Sequence, residues 1–281
     1  MLTTTTGGER RFFRLMAVPL VVYFLVVLLL LVADVLYLGP TVTLRPFSVS
    51  WEGPVRFWET VTSPEIRFAL GLSLVTSLIT VLLSIVIAVP TGYVLSRRKF
   101  FGSALVDTII DMPIVLPPLA VGLSLLVFFS QPVGKWLEAH GVKLVFQPAG
   151  IVAAQFVVAC AFAIRMMKAT FDGIDRRYES VVRTLGFAPW RAFLVGCLPL
   201  ARSGMVAAAV ITWARAVGEF GPVIVFCGAT RFRTEVLPTS AYLEVSVGNL
   251  HGALSVALLM IAAALVVLIL LKKFGGKANL V

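Results

Sequence analysis

Little in this 281-residue sequence could carry out covalent chemistry. Its three cysteines, Cys160, Cys197 and Cys227, are odd in number, lie in or beside apolar runs and have no metal-ligand spacing. They read as small buried hydrophobes. The only histidines, His140 and His251, stand alone, so no imidazole metal site or catalytic pair is assigned. No Gly-x-x-x-x-Gly-Lys-Ser/Thr loop occurs, and Gly275-Gly276-Lys277 lacks the rest of that motif. If ATP drives this chain, another chain must bind it. Charged residues make up only 14% of the sequence. The formal net charge of +10 does not mark a nucleic-acid surface, because Lys and Arg fall in short clusters between apolar runs.

Apolar residues account for 59% of the chain and mean hydropathy is +0.98, well above ordinary soluble domains. The apolar runs reach the roughly 20 residues that a membrane-spanning helix needs. Residues 1–14 form a polar tail ending in Arg10, Arg11 and Arg14, and residues 15–38 are read as a first transmembrane helix. That run exceeds the about 7–15 residues of a signal-peptide core, and no small-x-small cleavage site follows. Residues 39–67, rich in proline and tryptophan, read as an external segment. Residues 68–271 then hold five more spans, at about 68–95, 105–129, 148–167, 201–227 and 250–271, before a basic tail at 272–281. Loops at 130–147 and 228–249 are expected outside.

Within the second span Ser73, Ser77, Thr80, Ser84, Ala88 and Thr91 recur at steps of three or four, so they share one face. Such a face marks close helix packing or a polar path. The third span contains Asp111-Met112-Pro113-Ile114-Val115-Leu116-Pro117-Pro118, whose prolines free backbone carbonyls that must face protein or water. A kinked packing helix and a pathway lining both satisfy that demand. In the fifth span Arg215 and Glu219 stand four residues apart at a depth where ionisable groups pair, face the bundle interior or line a cavity. They are either a pair that orients the helix or part of a translocation path or gate.

The longest polar interruption, 171–199, is not written like a loop. Asp172 and Asp175 stand early, Arg176, Arg177 and Arg183 follow, Gly186 supplies a helix stop, and Pro189 can open a second short helix. The spacing predicts a helix, a tight turn and a short helix at a membrane surface. Glu179-Ser180-Val181-Val182-Arg183-Thr184-Leu185-Gly186, with Leu198-Pro199 placing a proline thirteen residues after the glycine, resembles the EAA loop of bacterial ABC importer permeases. The family's Glu-Ala-Ala triplet falls on Ser180-Val181-Val182, and the glutamate common just before it is kept as Glu179. Ala214 to Gly221, Leu116-Pro117-Pro118 with Gly122, and Leu237-Pro238-Thr239 resemble the molybdate, tungstate and sulfate branch.

That resemblance implies an all-helical, type I importer-like permease with six transmembrane helices in the bacterial inner membrane. It further implies a homodimer, separate ATPase subunits holding ATP and Mg, and an external binding protein delivering a tetrahedral oxyanion. Glu179, Ser180, Gly186, Pro189, Leu198 and Pro199 would serve ATPase coupling. Arg215, Glu219, Pro117, Pro118, Ser73 and Ser77 are the candidates for the path or gate. An ion-gradient-driven secondary transporter is the alternative; its coupling ligands could come only from Arg215, Glu219 and Asp111, and it gives the elbow no purpose. A membrane enzyme or scaffold is a further rival, but no His, Asp or Ser constellation supports catalysis.

Sixteen of the 24 Lys and Arg lie in 1–14, 96–104, 165–202 and 272–281, against seven in the three intervening loops. The basic excess belongs on the cytoplasmic side, which places both termini and the elbow there. In a background lacking the native cysteines, a cysteine at Ser180 should react with impermeant thiol reagents only from the cytoplasm, and one at Ser48 only from outside. Labelling of both from one side contradicts the orientation or the number of spans.

Overall fold

The computed structural model describes the backbone of residues 7–39, 41–44, 47–50, 52–98 and 100–274, and the side chains of 16–39, 53–98 and 100–269. Lys99, Lys277 and the Gly275-Gly276 pair lie outside the described residues. The first helix, α1, runs from Gly7 to Tyr37 and is followed by a hairpin of β1 (Thr41–Leu44) and β2 (Phe47–Ser50), paired from Thr41 with Ser50 to Leu44 with Phe47. Helix α2 (Glu52–Thr62) leads into α3 (Pro64–Arg97). Next come α4 (Ser103–Val115), α5 (Pro118–Ser130), α6 (Pro132–Ala139) and α7 (Pro148–Asp172). The rest comprises α8 (Arg177–Thr184), α9 (Pro189–Ala192), a π-helical turn (Phe193–Cys197), α10 (Arg202–Val217), α11 (Gly221–Phe226), α12 (Leu237–Ser246) and α13 (Leu250–Phe274).

Proline mostly starts helices here rather than breaking them. Pro64, Pro118, Pro132, Pro148, Pro189, Pro222 and Pro238 each occupy a first-turn position, where a missing N–H costs nothing. At α3 the Ser63 hydroxyl completes the start by accepting the Ile66 N–H at 3.4 Å.

Helix α3 packs along α7 as the main seam of the fold. Ser73, Ser77, Thr80, Ser84 and Ala88 are fully buried along α3, and Ala154, Gln155, Ala159 and Ala163 along α7. The backbones come close enough that a Cβ on Gly92 would stand 2.8 Å from the Lys168 nitrogen. The Thr80 hydroxyl donates to Gln155 Oε1 at 3.1 Å across the seam. At one end, Met167, Phe171, Cys197 and Ala201 form one core; at the other, Ile151, Ala154, Val223, Phe226 and Val236 form a second.

Among the described residues, four unbroken helices are long and apolar enough to cross a membrane, at Met16–Tyr37, Pro64–Arg97, Pro148–Asp172 and Leu250–Ile269. The third and fifth expected spans are not straight. Helices α4 and α5 meet at 109° within the third; the other bent pair, Pro189–Cys197 with α10 at 82°, lies where the elbow enters the fifth, and six spans are counted only if each bent pair is one. Leu116-Pro117-Pro118 explains the first bend, since a residue before proline is pushed out of the helical region. The fifth span also ends early: α10 stops at Val217, and Cys227 lies beyond the separate α11.

The expected external loops are also more structured than anticipated. Segment 39–67 contains the hairpin and α2, and 130–147 contains α6. Segment 228–249 folds back into the protein: Thr234, Glu235, Val236, Leu237, Thr239 and Ser240 are all buried, and the Leu237 N–H donates to Ser73 Oγ at 2.8 Å. The turn of apolar residues at Val236 and Leu237 would be unfavourable in water, and Ser73 gives the buried amide at the α12 start a partner.

Candidate coupling elbow and membrane ion pair

The elbow begins where α7 ends. Asp175 Oδ1 accepts the Arg177 N–H at 2.9 Å and so opens α8. The helix stops at Gly186, whose φ of +86° is the left-handed conformation that a β-carbon disfavours, and whose N–H donates to the Arg183 carbonyl at 3.0 Å. Pro189 then starts α9, and the chain widens into the π turn, closed by the Leu198 N–H on the Phe193 carbonyl at 2.8 Å. Pro199 follows in the bend before α10, where it has no N–H to offer a continuing helix. The two arms touch where Val182 meets Gly196, whose added Cβ would lie 3.1 Å from Val182 Cγ2.

The elbow exposes several large apolar side chains among its basic residues. Tyr178, Val181, Leu185, Phe187 and Trp190 are all exposed, with Leu185 at 72%. Ser180 is exposed beside them. Five large apolar side chains gathered on a short polar-flanked elbow mark a protein contact surface.

Glu179 points the other way, into the protein. Its Oε1 accepts from Arg97 Nε at 2.7 Å and its Oε2 from the Tyr93 hydroxyl at 2.6 Å. Arg97 continues with Nη1 to the Phe171 carbonyl at 2.8 Å and Nη2 to the Ile174 carbonyl at 3.0 Å. Arg176 adds a bond from Nη2 to the Ser96 carbonyl at 3.0 Å. The side chains of Arg97 and Glu179 are only 9% and 14% exposed. Arg97 counted in the sequence only as a topology charge. The i, i+4 spacing of Tyr93 and Arg97, and an acid standing in a basic segment, were the available signals.

In the membrane-facing part, Arg215 Nη1 lies 2.9 Å from Glu219 Oε2, with side chains 32% and 1% exposed. Although that is an ion pair by distance, Glu219 Oε2 has no aligned hydrogen bond in the described protein. The distance carries the attraction; the misalignment leaves the carboxylate short of a donor. The Arg215 guanidinium carbon sits 5.8 Å from the centre of the Phe162 ring. Two breaks meet beside this pair. A Cβ on Gly221 would lie 2.6 Å from Pro118 Cβ, and one on Gly122 would lie 2.9 Å from Pro222 Cα. Thus Pro118, next to the exposed Pro117, is brought to the segment carrying Glu219. Ser73 and Ser77 are not. Both are fully buried within this chain, Ser73 holding the Leu237 N–H and Ser77 its own helix's Leu74 carbonyl at 3.1 Å, which makes them packing residues here.

A second charged cluster fell outside the expected site. Arg165 on α7 binds both Asp111 and Asp107 of α4, the latter at 3.2 Å, and Lys168 Nζ reaches Asp107 at 3.1 Å. No residue of α4 is buried, so these pairs hold it to α7. Acids at i, i+4 opposite bases at i, i+3 were the readable signal.

Residues 81–277 match the family described as binding-protein-dependent transport system inner membrane component. The molybdate/tungstate transport system permease protein WtpB of Thermococcus kodakarensis is 33% identical over 224 residues, 79% of this chain and 83% of that protein. The sulfate transport system permease protein CysT of Escherichia coli is 28% identical over 222 residues, 78% and 79% of the two chains. A chain of a bacterial ABC transporter involved in import of the acidic polysaccharide alginate superposes with a TM-score of 0.74 at 15% identity, covering 97% of both chains, which is a likeness of fold. The chain therefore belongs to the binding-protein-dependent transport system inner membrane components, as a multi-pass ABC importer permease of the branch that holds the molybdate, tungstate and sulfate permeases.

Proposed function

We propose that this chain forms the translocation path of an ATP-driven importer for a tetrahedral oxyanion, molybdate, tungstate or sulfate. Two copies would pair around one path, with an external binding protein delivering the anion. Separate ATPase subunits, holding ATP and Mg, would dock on the elbow. The observation that carries this reading is the exposed apolar elbow face, Tyr178, Val181, Leu185, Phe187 and Trp190, on a chain of this family. ATP would close the ATPase pair, draw the elbows together and tilt the helices so that the path opens alternately to either side. The chain itself would form no covalent bond to substrate. A gradient-driven carrier would leave the elbow's apolar face without use.

Along the path, Arg215 is the group suited to an oxyanion, since a partly exposed guanidinium offers a fork of donors to tetrahedral oxygens. Glu219, fully buried behind it, would hold that fork in place and limit how tightly the anion is held. The neighbouring breaks at Pro117–Pro118 and Gly218–Gly221 supply the bend a gate needs.

Two measurements test this. Gly186→Val puts a β-branched residue at positive φ, a strain of about 1–2 kcal/mol or more, so uptake should fall about tenfold or more at matched membrane levels. Gly186→Asn, which tolerates that conformation, should retain most of it. Wild-type uptake and ATPase association in Gly186→Val would remove the elbow from the mechanism. For the ion pair, Arg215→Met combined with Glu219→Leu should assemble with the ATPase and fail to transport. Near-normal uptake by the double variant would make the pair a packing device.

A further inference from the structure

Helix α8 has no buried residue, and apolar packing seats it only lightly, through the half-buried Val182 against Gly196 of the π turn. What ties it there is largely one guanidinium. Arg97, the last residue of α3, gives Nε to Glu179 on α8, Nη1 to the Phe171 carbonyl in the last turn of α7, and Nη2 to the Ile174 carbonyl beyond it. The same Nη2 lies 3.7 Å from Cys197 Sγ at the end of the π turn. The carbonyls of a helix C-terminus lack intrahelical donors, and a cation there satisfies them. Tyr93, one turn earlier on α3, holds the second Glu179 oxygen and packs its ring 4.5 Å from that of Phe193. Four segments, the ends of α3 and α7, α8 and the π turn, therefore converge on a single largely buried side chain.

We propose that Arg97 is the positioning residue that makes the elbow and the α3–α7 seam one rigid body, so that displacement of the elbow moves the helices instead of flexing the joint. This rests on the elbow being the ATPase dock. Arg97 does not belong to the exposed docking face; it acts through Glu179 and the α7 carbonyls. A flexible joint would allow ATP hydrolysis to proceed without moving the path, which is uncoupling rather than loss of assembly. Lysine cannot replace the arginine, because its donors share one atom and cannot reach three partners that diverge from a planar fork.

The test uses the complete transporter, this chain with its ATPase subunits and binding protein, in proteoliposomes, with molybdate as the transported probe. ATP hydrolysis and molybdate uptake are measured in the same vesicles. In Arg97→Gln and Arg97→Lys the ATPase should still co-purify and hydrolyse ATP, while anion imported per ATP falls by about tenfold, the scale of one lost charge-assisted hydrogen bond. Tyr93→Phe deletes only one hydroxyl and should lower the same ratio by a smaller factor, which keeps the proposal testable if the arginine variants do not fold. An unchanged ratio in the variants that fold, with uptake and hydrolysis falling together or not at all, overturns the proposal. Loss of ATPase co-purification in Arg97→Lys also overturns it, since the residue would then only shape the dock. The underlying reading has its own control: Leu185→Arg on the exposed face should abolish co-purification, and if the ATPase still binds, the dock lies elsewhere whatever the Arg97 ratios are.

Discussion

Away from water, every backbone N–H and C=O must find a partner inside the protein, and this chain interrupts its helices at 116–117 and at 218–220 within an apolar bundle. That demand arranges much of what surrounds the breaks. The bend at Pro117 needs a neighbour without bulk, and Gly221 supplies it; Gly122 in turn admits the backbone at Pro222. The chain after α11 then folds inward, and the first amide of α12 is met by the Ser73 hydroxyl on α3. A straight six-helix bundle would need none of these contacts. The two breaks pack on each other because each sets a glycine against the other's proline.

Charge obeys the same economy. Three groups of paired charges differ in exposure, and the differences separate their work. Arg97 and Glu179 are both largely buried, which suits a fixed joint. Arg165 with Asp107 and Asp111 stays partly exposed and holds α4, a helix with no buried residue of its own. Arg215 and Glu219 are unequal: the carboxylate is sealed while the guanidinium stays about one-third exposed. An anion approaching that point would meet the positive partner first.

Much of this was legible in the sequence. The apolar lengths gave α1, α3, α7 and α13, and the glycine and proline spacing gave an elbow whose Gly186 does take a positive φ. The serine and threonine face of α3 was legible as a face but not as a contact. A period of three to four says which side of a helix is special, not whether another helix or water lies against it, and Ser73 and Ser77 prove to face protein. The prolines of the third span marked a kink but not its size, because apolar length carries no direction and a run of 25 residues reads alike whether slightly kinked or folded at 109°. Arg97 was hidden because its partners, Glu179, Phe171 and Ile174, lie more than seventy residues away in the chain. The polar composition of 228–249 resembled a loop, yet Glu235 is buried there with Ser240 donating to it at 2.8 Å, and burial pushes its carboxyl above the usual range.

The most direct measurement of what drives this chain is molybdate uptake into proteoliposomes, with the energy source varied. With ATPase subunits and binding protein present, uptake should require hydrolysable ATP and should persist when ionophores collapse the ion gradients. Uptake by this chain alone, driven by an imposed ion gradient and indifferent to ATP, would contradict an importer permease worked through its elbow.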